Sequence, residues 1–286
     1  MDDRPVMKRI DSHQHFWKYS VEEYGWIDDR MSILRRDFLP ENLFAELGEA
    51  GVQSAISVQA RQSLAETRWL LELARANSYI SGVVGWAPLT DPGLEPILEE
   101  LAADEKLLGM RHLLQDEPAN ELMESGEFHR GVARLSRYGL RYDILIYERH
   151  LRQAIAFVDR HPNQIFILDH AAKPRIAAGV IEPWARLIKE LARRTNVYCK
   201  VSGMVTEANW ENWTALDLAP YLHTVLEAFG PRRLMFGSDW PVMLATSTYT
   251  RWVETVEAWT ETLSRDEQEQ IWAATAMEAY NRRGNS

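Results

Sequence analysis

Asp11-Ser12-His13-Gln14-His15 closes the segment that starts at Val6, and its two histidines stand two residues apart. On a strand, side chains at i and i+2 face the same way, so both imidazoles can be aimed at one atom. Three further short apolar runs also end in polar groups. Gln164-Ile165-Phe166-Ile167-Leu168 leads into Asp169-His170, and Val197-Tyr198-Cys199 leads into Lys200-Val201-Ser202-Gly203. Arg233-Leu234-Met235-Phe236 leads into Gly237-Ser238-Asp239-Trp240-Pro241. Uninterrupted apolar runs of this length suit strands buried on both faces, as in a parallel sheet.

Working outward, the strand candidates number eight: Arg9 to Phe16, Ala55 to Gln59, Ile80 to Pro88, Leu108 to Leu114, Tyr142 to Tyr147, Gln164 to His170, Val197 to Gly203 and Arg233 to Pro241. Most gaps between them carry a helical pattern, as in Ala65 to Arg75 and Trp184 to Ala192. Alternation of this kind implies parallel pairing, because each parallel return needs a crossover. Eight such units in 286 residues predict an α/β fold, a (β/α)8 TIM barrel forming a single domain over residues 1–286. An open doubly wound sheet would carry a glycine-rich phosphate turn after its first strand. Here that strand ends in the paired histidines, and no GxGxxG occurs.

The long connection from Lys18 to Pro40, with Tyr19, Tyr24 and Trp26, reads as a lid over the barrel mouth. The tail from Asn281 to Ser286 reads as fraying polar residues.

The composition, 46% hydrophobic and 26% charged, is that of an ordinary soluble globular protein. No apolar stretch is long enough to span a membrane. Met1-Asp2-Asp3-Arg4-Pro5 runs almost directly into the first strand and leaves no room for a signal peptide, so a cytoplasmic location is expected. The lone Cys199 excludes an intrachain disulfide, fits a reducing compartment, and reads as buried packing. A formal net charge of -10 argues against nucleic acid and anionic membranes as partners. A small molecule is the expected partner.

In a barrel of this type the chemistry sits at the C-terminal ends of the strands. His13 and His15 end the first strand, His170 the sixth and Asp239 the eighth, and the first and eighth are neighbours in a closed barrel. Each has a plainer reading alone: His170 as a core histidine satisfied by backbone, Asp239 as a turn cap. Together they predict a shared site. Three imidazoles and a carboxylate match one Zn²⁺ with a position open to water. They equally suit a metal-free site in which imidazoles polarise a carbonyl and the carboxylate takes a proton from water. Candidate substrate-binding residues at other strand ends are Gln59 and Arg61, Trp86, Arg111 and His112, and Tyr147. Trp26 and Trp240 are candidate stacking surfaces, and Lys200 fits a buried ion-pair partner as well as a site residue.

Asp-Ser-His-Gln-His at 11–15, Ile-Leu-Asp-His-Ala-Ala-Lys-Pro at 167–174, Lys-Val-Ser-Gly at 200–203 and Met-Phe-Gly-Ser-Asp-Trp-Pro at 235–241 resemble the amidohydrolase superfamily. More narrowly, they look like its branch of sugar-lactone and pyrone-dicarboxylate lactonases. The resemblance spans nearly the whole chain and implies a (β/α)8 fold, lactone hydrolysis, and a site made of His13, His15, His170 and Asp239. The chain departs from the dinuclear amidohydrolases: the fifth strand candidate supplies no histidine at its end and the fourth no bridging lysine. That departure argues against a bridged two-metal centre and leaves one zinc or none.

The expected chemistry follows from ester opening. Asp239 deprotonates a water, which attacks the lactone carbonyl, and His13, His15 and His170 stabilise the oxyanion directly or through one metal. A dicarboxylate substrate would need clamping arginines, and only Arg61 and Arg111 lie near strand ends. A neutral sugar-acid lactone therefore fits better, and the resemblance points to the L-fucono or L-rhamnono type. The alternatives are a metal-dependent decarboxylase of the same superfamily, a pyrone-dicarboxylate lactonase, and a non-catalytic sugar-acid binding protein.

Overall fold

In a computed structural model, which describes residues 7–117 and 121–282, eight strands pair in parallel in chain order. They are β1 (Ile10–Gln14), β2 (Ser54–Val58), β3 (Ile80–Gly85), β4 (Leu107–His112), β5 (Arg141–Ile144), β6 (Phe166–Leu168), β7 (Val197–Val201) and β8 (Leu234–Phe236). A helix of at least nine residues follows each strand: α1 (Pro40–Glu49), α2 (Leu64–Ala76), α3 (Leu94–Ala102), α4 (Gly126–Leu135), α5 (Leu151–Asp159), α6 (Trp184–Ala192), α7 (Ala215–Phe229) and α8 (Tyr249–Thr260). This is the (β/α)8 arrangement that the alternating pattern predicts. α6 occupies the expected span, and α2 extends the expected one by a residue at each end. The Ser63 hydroxyl sets the α2 start by accepting from Glu66 N, which satisfies one otherwise unpaired amide of the first turn.

The barrel closes through residues of the expected site. Asp239 N donates to His13 O at 2.8 Å, and His15 N donates to Trp240 O at 2.7 Å. β6 and β8 end with their apolar runs, at Leu168 and Phe236, and stop short of the expected strand ends at His170 and Pro241, because the backbone turns into the left-handed region at His170 (φ 53°) and Asp239 (φ 63°).

The C-terminal segment covers the opposite end of the barrel. Ala273, Ala276, Ala279 and Tyr280 pack with Ile10, Ile56 and Met235 from three strands. Arg141, at the start of β5, donates to Ala279 O and Asn281 O, and Arg282 donates to the carbonyls of Asp104 and Leu107 beside β4. The tail expected to fray from Asn281 is thus anchored through Arg282, because a guanidinium offers five donors to carbonyls that would otherwise be unpaired. Residues 283–286 of that tail, Val6, and the segment Met1 to Pro5 lie outside the described residues.

The connection expected as a lid is folded on itself. Trp17 and Phe38 exchange both main-chain hydrogen bonds, at 3.0 and 2.9 Å, and tie the two ends of the loop together. Tyr24, Ile27 and Leu34 are buried beneath it, while a 3-10 turn at Asp29–Leu34 starts from the Asp28 carboxylate. Among the described residues no helix is long and apolar enough to cross a membrane.

Candidate active site at the C-terminal ends of the strands

β1 carries His13 and leads into His15, the turn after β6 carries His170, and the turn after β8 carries Asp239; all four are buried. Asp239 Oδ1 is 3.3 Å from His15 Nε2 and 3.8 Å from both His13 Nε2 and His170 Nε2. His13 Nε2 and His15 Nε2 are 3.2 Å apart.

The partners of these rings decide which nitrogens hold lone pairs. His15 Nδ1 lies 2.8 Å from Val58 O, and a carbonyl only accepts, so the proton of a neutral His15 is on Nδ1 and Nε2 is bare. Arg111 Nη1 lies 3.3 Å from His13 Nε2, and a guanidinium only donates, so this nitrogen is bare too. Two imidazole lone pairs and a carboxylate therefore converge, with the Arg111 guanidinium as a donor to the His13 nitrogen, and a cation or a shared proton would satisfy the His15 and Asp239 acceptors that face each other. A tetrahedral zinc with bonds of about 2.0–2.2 Å has ligand–ligand edges of roughly 3.3–3.6 Å. The separations of 3.2, 3.3 and 3.8 Å straddle those edges, so the donor set fits one zinc ion.

Burial holds His13 well below the ordinary histidine range and brings His170 down to about 4, which keeps both rings neutral and able to act as ligands. For Asp239, burial pushes upward, but His170, His15 and Lys173 together outweigh it and hold the carboxyl below its ordinary value.

Local backbone geometry aims these groups. His170, Ala171, Ala172 and Lys173 are consecutive left-handed residues, with φ of 53°, 48°, 59° and 50°. Such a conformation costs roughly 1–2 kcal/mol per non-glycine residue. Trp184 Nε1, donating to Ala171 O at 2.7 Å, and the burial of both alanines hold the turn. Gly203 (φ 61°) makes room for the His170 ring, because a Cβ there would lie 2.5 Å from Nδ1. Ser202 Oγ meets that same Nδ1 at 2.8 Å. Gly237 plays the equivalent part for β1, since its Cβ would lie 2.8 Å from His13 Cβ. Asp11 locks β1 to the β8 turn by accepting from Ser238 N, Ser238 Oγ and Tyr249 OH; burial raises its carboxyl to about 6 in spite of these donors.

Beneath the site lies a fully buried charge network. Lys200 Nζ is 2.6 Å from Asp143 Oδ2 and 3.0 Å from Asp169 Oδ1, and Tyr280 OH donates to Asp143 at 2.7 Å. Asp169 in turn faces His13 Nδ1 at 3.3 Å and Arg111 Nη1 at 2.9 Å. Burial pushes Asp169 upward, but Lys200, His13 and Arg111 hold its carboxyl well below the usual range. Lys200 thus occupies the buried ion-pair position, and Cys199 is buried with its thiol pushed up by desolvation.

A cavity of about 360 Å³ opens above His15, His170 and Asp239. Of the expected substrate-binding residues, Trp26, Arg111 and Tyr147 line it. The others are engaged elsewhere. Gln59 is buried and donates to Arg111 O. Arg61 pairs with Glu23 and Glu66. Trp86 Nε1 donates to His112 Nδ1 at 3.2 Å, leaving the other ring nitrogen of His112 to donate to Glu117 at 2.7 Å. Trp240 is buried edge-on against Phe16 and Phe38.

Among the lining residues that escaped the sequence reading are Asp116, Lys173, Glu207 and Trp210. Lys173 had an available signal, a cation three residues beyond His170 and just before Pro174. The other three sit in a 3-10 turn (Leu114–Asp116), a one-turn helix (Met204–Glu207) and the turn after it, pieces too short to carry a periodic pattern. A wider hollow of about 810 Å³ at the opposite end of the barrel, beside Tyr138, Arg141 and Arg282, contains none of the expected site residues.

The fold and the placement of polar groups at the strand ends define the class, and the chain belongs to the amidohydrolase family, whose match covers residues 10–282. It is similar to an L-fucono-1,5-lactonase of Burkholderia multivorans, with 42% identity over 283 residues, 95% of each chain. An L-fucono-1,5-lactonase of Burkholderia ambifaria is 37% identical over 234 residues, covering 82% of this chain and 80% of that one. The crystal structure of a Burkholderia multivorans amidohydrolase with bound zinc superposes with a TM-score of 0.92 at 41% identity, covering 96% of this chain and 99% of that one.

Proposed function

We propose that this protein is a lactonase that hydrolyses a neutral sugar-acid lactone of the L-fucono-1,5-lactone type to the open aldonic acid. The observation that carries the reading is the Asp239 carboxylate: it lines the cavity, and its neighbours keep it ionised at neutral pH. A carboxylate so held is a general base for water. The two Burkholderia lactonases support the substrate class.

In this reading Asp239 takes a proton from water, and the hydroxide so formed bonds to the lactone carbonyl carbon. The chain's own sources of positive field for the oxyanion are His170 Nε2 and the Arg111 guanidinium. Arg111 Nε has no protein partner, which leaves one donor of that group unspent. Zinc, if held by His13, His170 and Asp239, would keep a fourth position open and there polarise the carbonyl or acidify the attacking water. When the ring C–O bond breaks, Asp239 returns its proton to the departing oxygen.

The charge of the walls supports a neutral substrate over a dicarboxylate. Asp116 and Glu207 face the cavity, and Arg111, one of its two cations beside Lys173, is already paired with buried Asp169. Carboxylates accept hydrogen bonds from sugar hydroxyls and repel a charged ring.

The test is proton release from a panel of sugar-acid lactones by wild type, Asp239→Asn and chelated protein. Release by wild type that falls by about two to four orders of magnitude in Asp239→Asn supports the reading. No release by wild type from any lactone in the panel, or undiminished release by Asp239→Asn, would overturn it. Survival of activity after verified metal removal would assign the field to His170 and Arg111 alone.

A further inference from the structure

The left-handed turn after β6 has a second product besides the placement of His170. With about three residues per turn, positions i and i+3 of such a turn fall on the same side. His170 and Lys173 are those two positions, and both line the cavity with Asp239. Lys173 N donates to His170 O at 2.8 Å, which fixes the spacing between them. The Lys173 ammonium lies 5.3 Å from the centre of the Tyr147 ring, another cavity wall. Among the described residues, no carboxylate lies within ion-pair distance of it. The alanines at 171 and 172 are buried and bring no polar group to the cavity, so the strained turn delivers two polar side chains, one of which, Lys173, has so far been given only its field on Asp239.

We propose that Lys173 is a further catalytic residue, whose ammonium stabilises the ring oxygen of the lactone as it departs. This rests on the lactonase reading above. Opening a lactone develops negative charge on two oxygens in turn. The carbonyl oxygen is served by the floor of the site, where Arg111 and His170 lie. The ring oxygen leaves as an alkoxide, a poor leaving group, and needs a cation of its own. Of the two cations lining the cavity, Arg111 is committed to Asp169, and Lys173 is the one left.

The step balances without any added reactant. Water gives its proton to Asp239 and its oxygen to the carbonyl carbon. The bond from that carbon to the ring oxygen then breaks, with its electron pair going to the ring oxygen. Lys173 donates a hydrogen bond to that oxygen and keeps its proton, while the proton held by Asp239 completes the new hydroxyl. The carboxylic acid formed loses its own proton to solvent.

The experiment compares wild type, Lys173→Met and Lys173→Arg on L-fucono-1,5-lactone, reading kcat, KM and the thermal midpoint. In Lys173→Met, kcat is expected to fall about 100-fold, as for removal of one donor aimed at transition-state charge. KM is expected to stay within about threefold, since the contact forms only as the bond breaks. Lys173→Arg, which keeps a cationic donor, is expected to recover kcat to within about tenfold of wild type. The thermal midpoint of both variants should match wild type.

A Lys173→Met kcat within about threefold of wild type overturns the proposal, as does a rise in KM alone, which would mark a ground-state contact. An equal loss in both variants with a lowered thermal midpoint also overturns it, by making the residue structural. If wild type opens no lactone, the lactonase reading itself fails; an active wild type with an unimpaired Lys173→Met sinks only the part given to Lys173.

Discussion

Arg111 Nη1 stands 3.3 Å from His13 Nε2, so a permanently charged donor faces the nitrogen that a metal would use. A cation entering between His13, His15 and Asp239 must compete with this guanidinium, and the Coulomb repulsion is weakly screened because Arg111 is 3% exposed. Arg111→Met is therefore expected to bind zinc at least about tenfold more tightly than wild type. Competition against a chromophoric chelator reads this directly, and an unchanged or weaker affinity would show that the guanidinium does not oppose the metal.

The acid side of the activity profile follows from the burial of the site. Falling pH adds protons, and His170 takes one only near 4, while Asp239 takes one only below its ordinary value of 3.8. Both groups thus keep their working forms through the neutral and mildly acidic range. We expect kcat/KM to hold level on the acid side down to about pH 5 and to fall below that. A limb centred between about pH 6 and 7 would point to a histidine with an ordinary pKa as the titrating group.

Lys200 is the hub of the buried charge network, and its removal strands two carboxylates. Lys200→Met is expected to lose about 3–5 kcal/mol of stability at neutral pH, the usual result of breaking a buried pair on one side. The sign of the pH dependence is fixed by Asp169, whose folded pKa lies well below its unfolded value. Its contribution is present above the unfolded pKa and is lost as pH falls through the folded one. In the variant the carboxylates are relieved by protonation, so the loss measured by urea unfolding should shrink when the pH is lowered toward about 4. A loss independent of pH would mean that packing, rather than charge, dominates there.

Gly203 tests the placement of His170. An alanine there must accept a φ of 61° and puts its Cβ 2.5 Å from His170 Nδ1. Shifting the ring by a fraction of an ångström to one ångström is expected to lower kcat by about ten- to 100-fold. Expression and cooperative unfolding of the variant should persist, since the strain is local and costs about 1–2 kcal/mol. Wild-type kcat in Gly203→Ala would show that His170 tolerates the displacement.

The barrel and the convergence of His13, His15, His170 and Asp239 were legible from the chain alone. Strands buried on both faces read as uninterrupted apolar runs, and polar residues at their ends stand out against that background. Chain order alone brings β1 beside β8, so residues 226 positions apart, His13 and Asp239, are neighbours in any closed barrel. Where the strands end was less legible: β6 and β8 stop before the expected His170 and Pro241 because His170 and Asp239 adopt left-handed angles, which residue type scarcely announces.

The tertiary structure alone decided which strand-end groups face the cavity. Gln59, Arg61, Trp86 and His112 are as polar or as broad as Arg111 and Tyr147, yet each is engaged by a partner from another segment: Gln59 by Arg111 O, Arg61 by Glu23, and Trp86 and His112 by each other, with Glu66 and Glu117 adding local contacts to Arg61 and His112. Arg111 lines the cavity with its charge largely committed to Asp169, and Lys173 lines it with no ion-pair partner among the described residues. A polar side chain's role depends on which partner reaches it first in space, and those distances are set by crossovers and loops. Apolar periodicity is a local property that each segment carries by itself, whereas the pairing of buried charges is non-local and exists only once the barrel has closed.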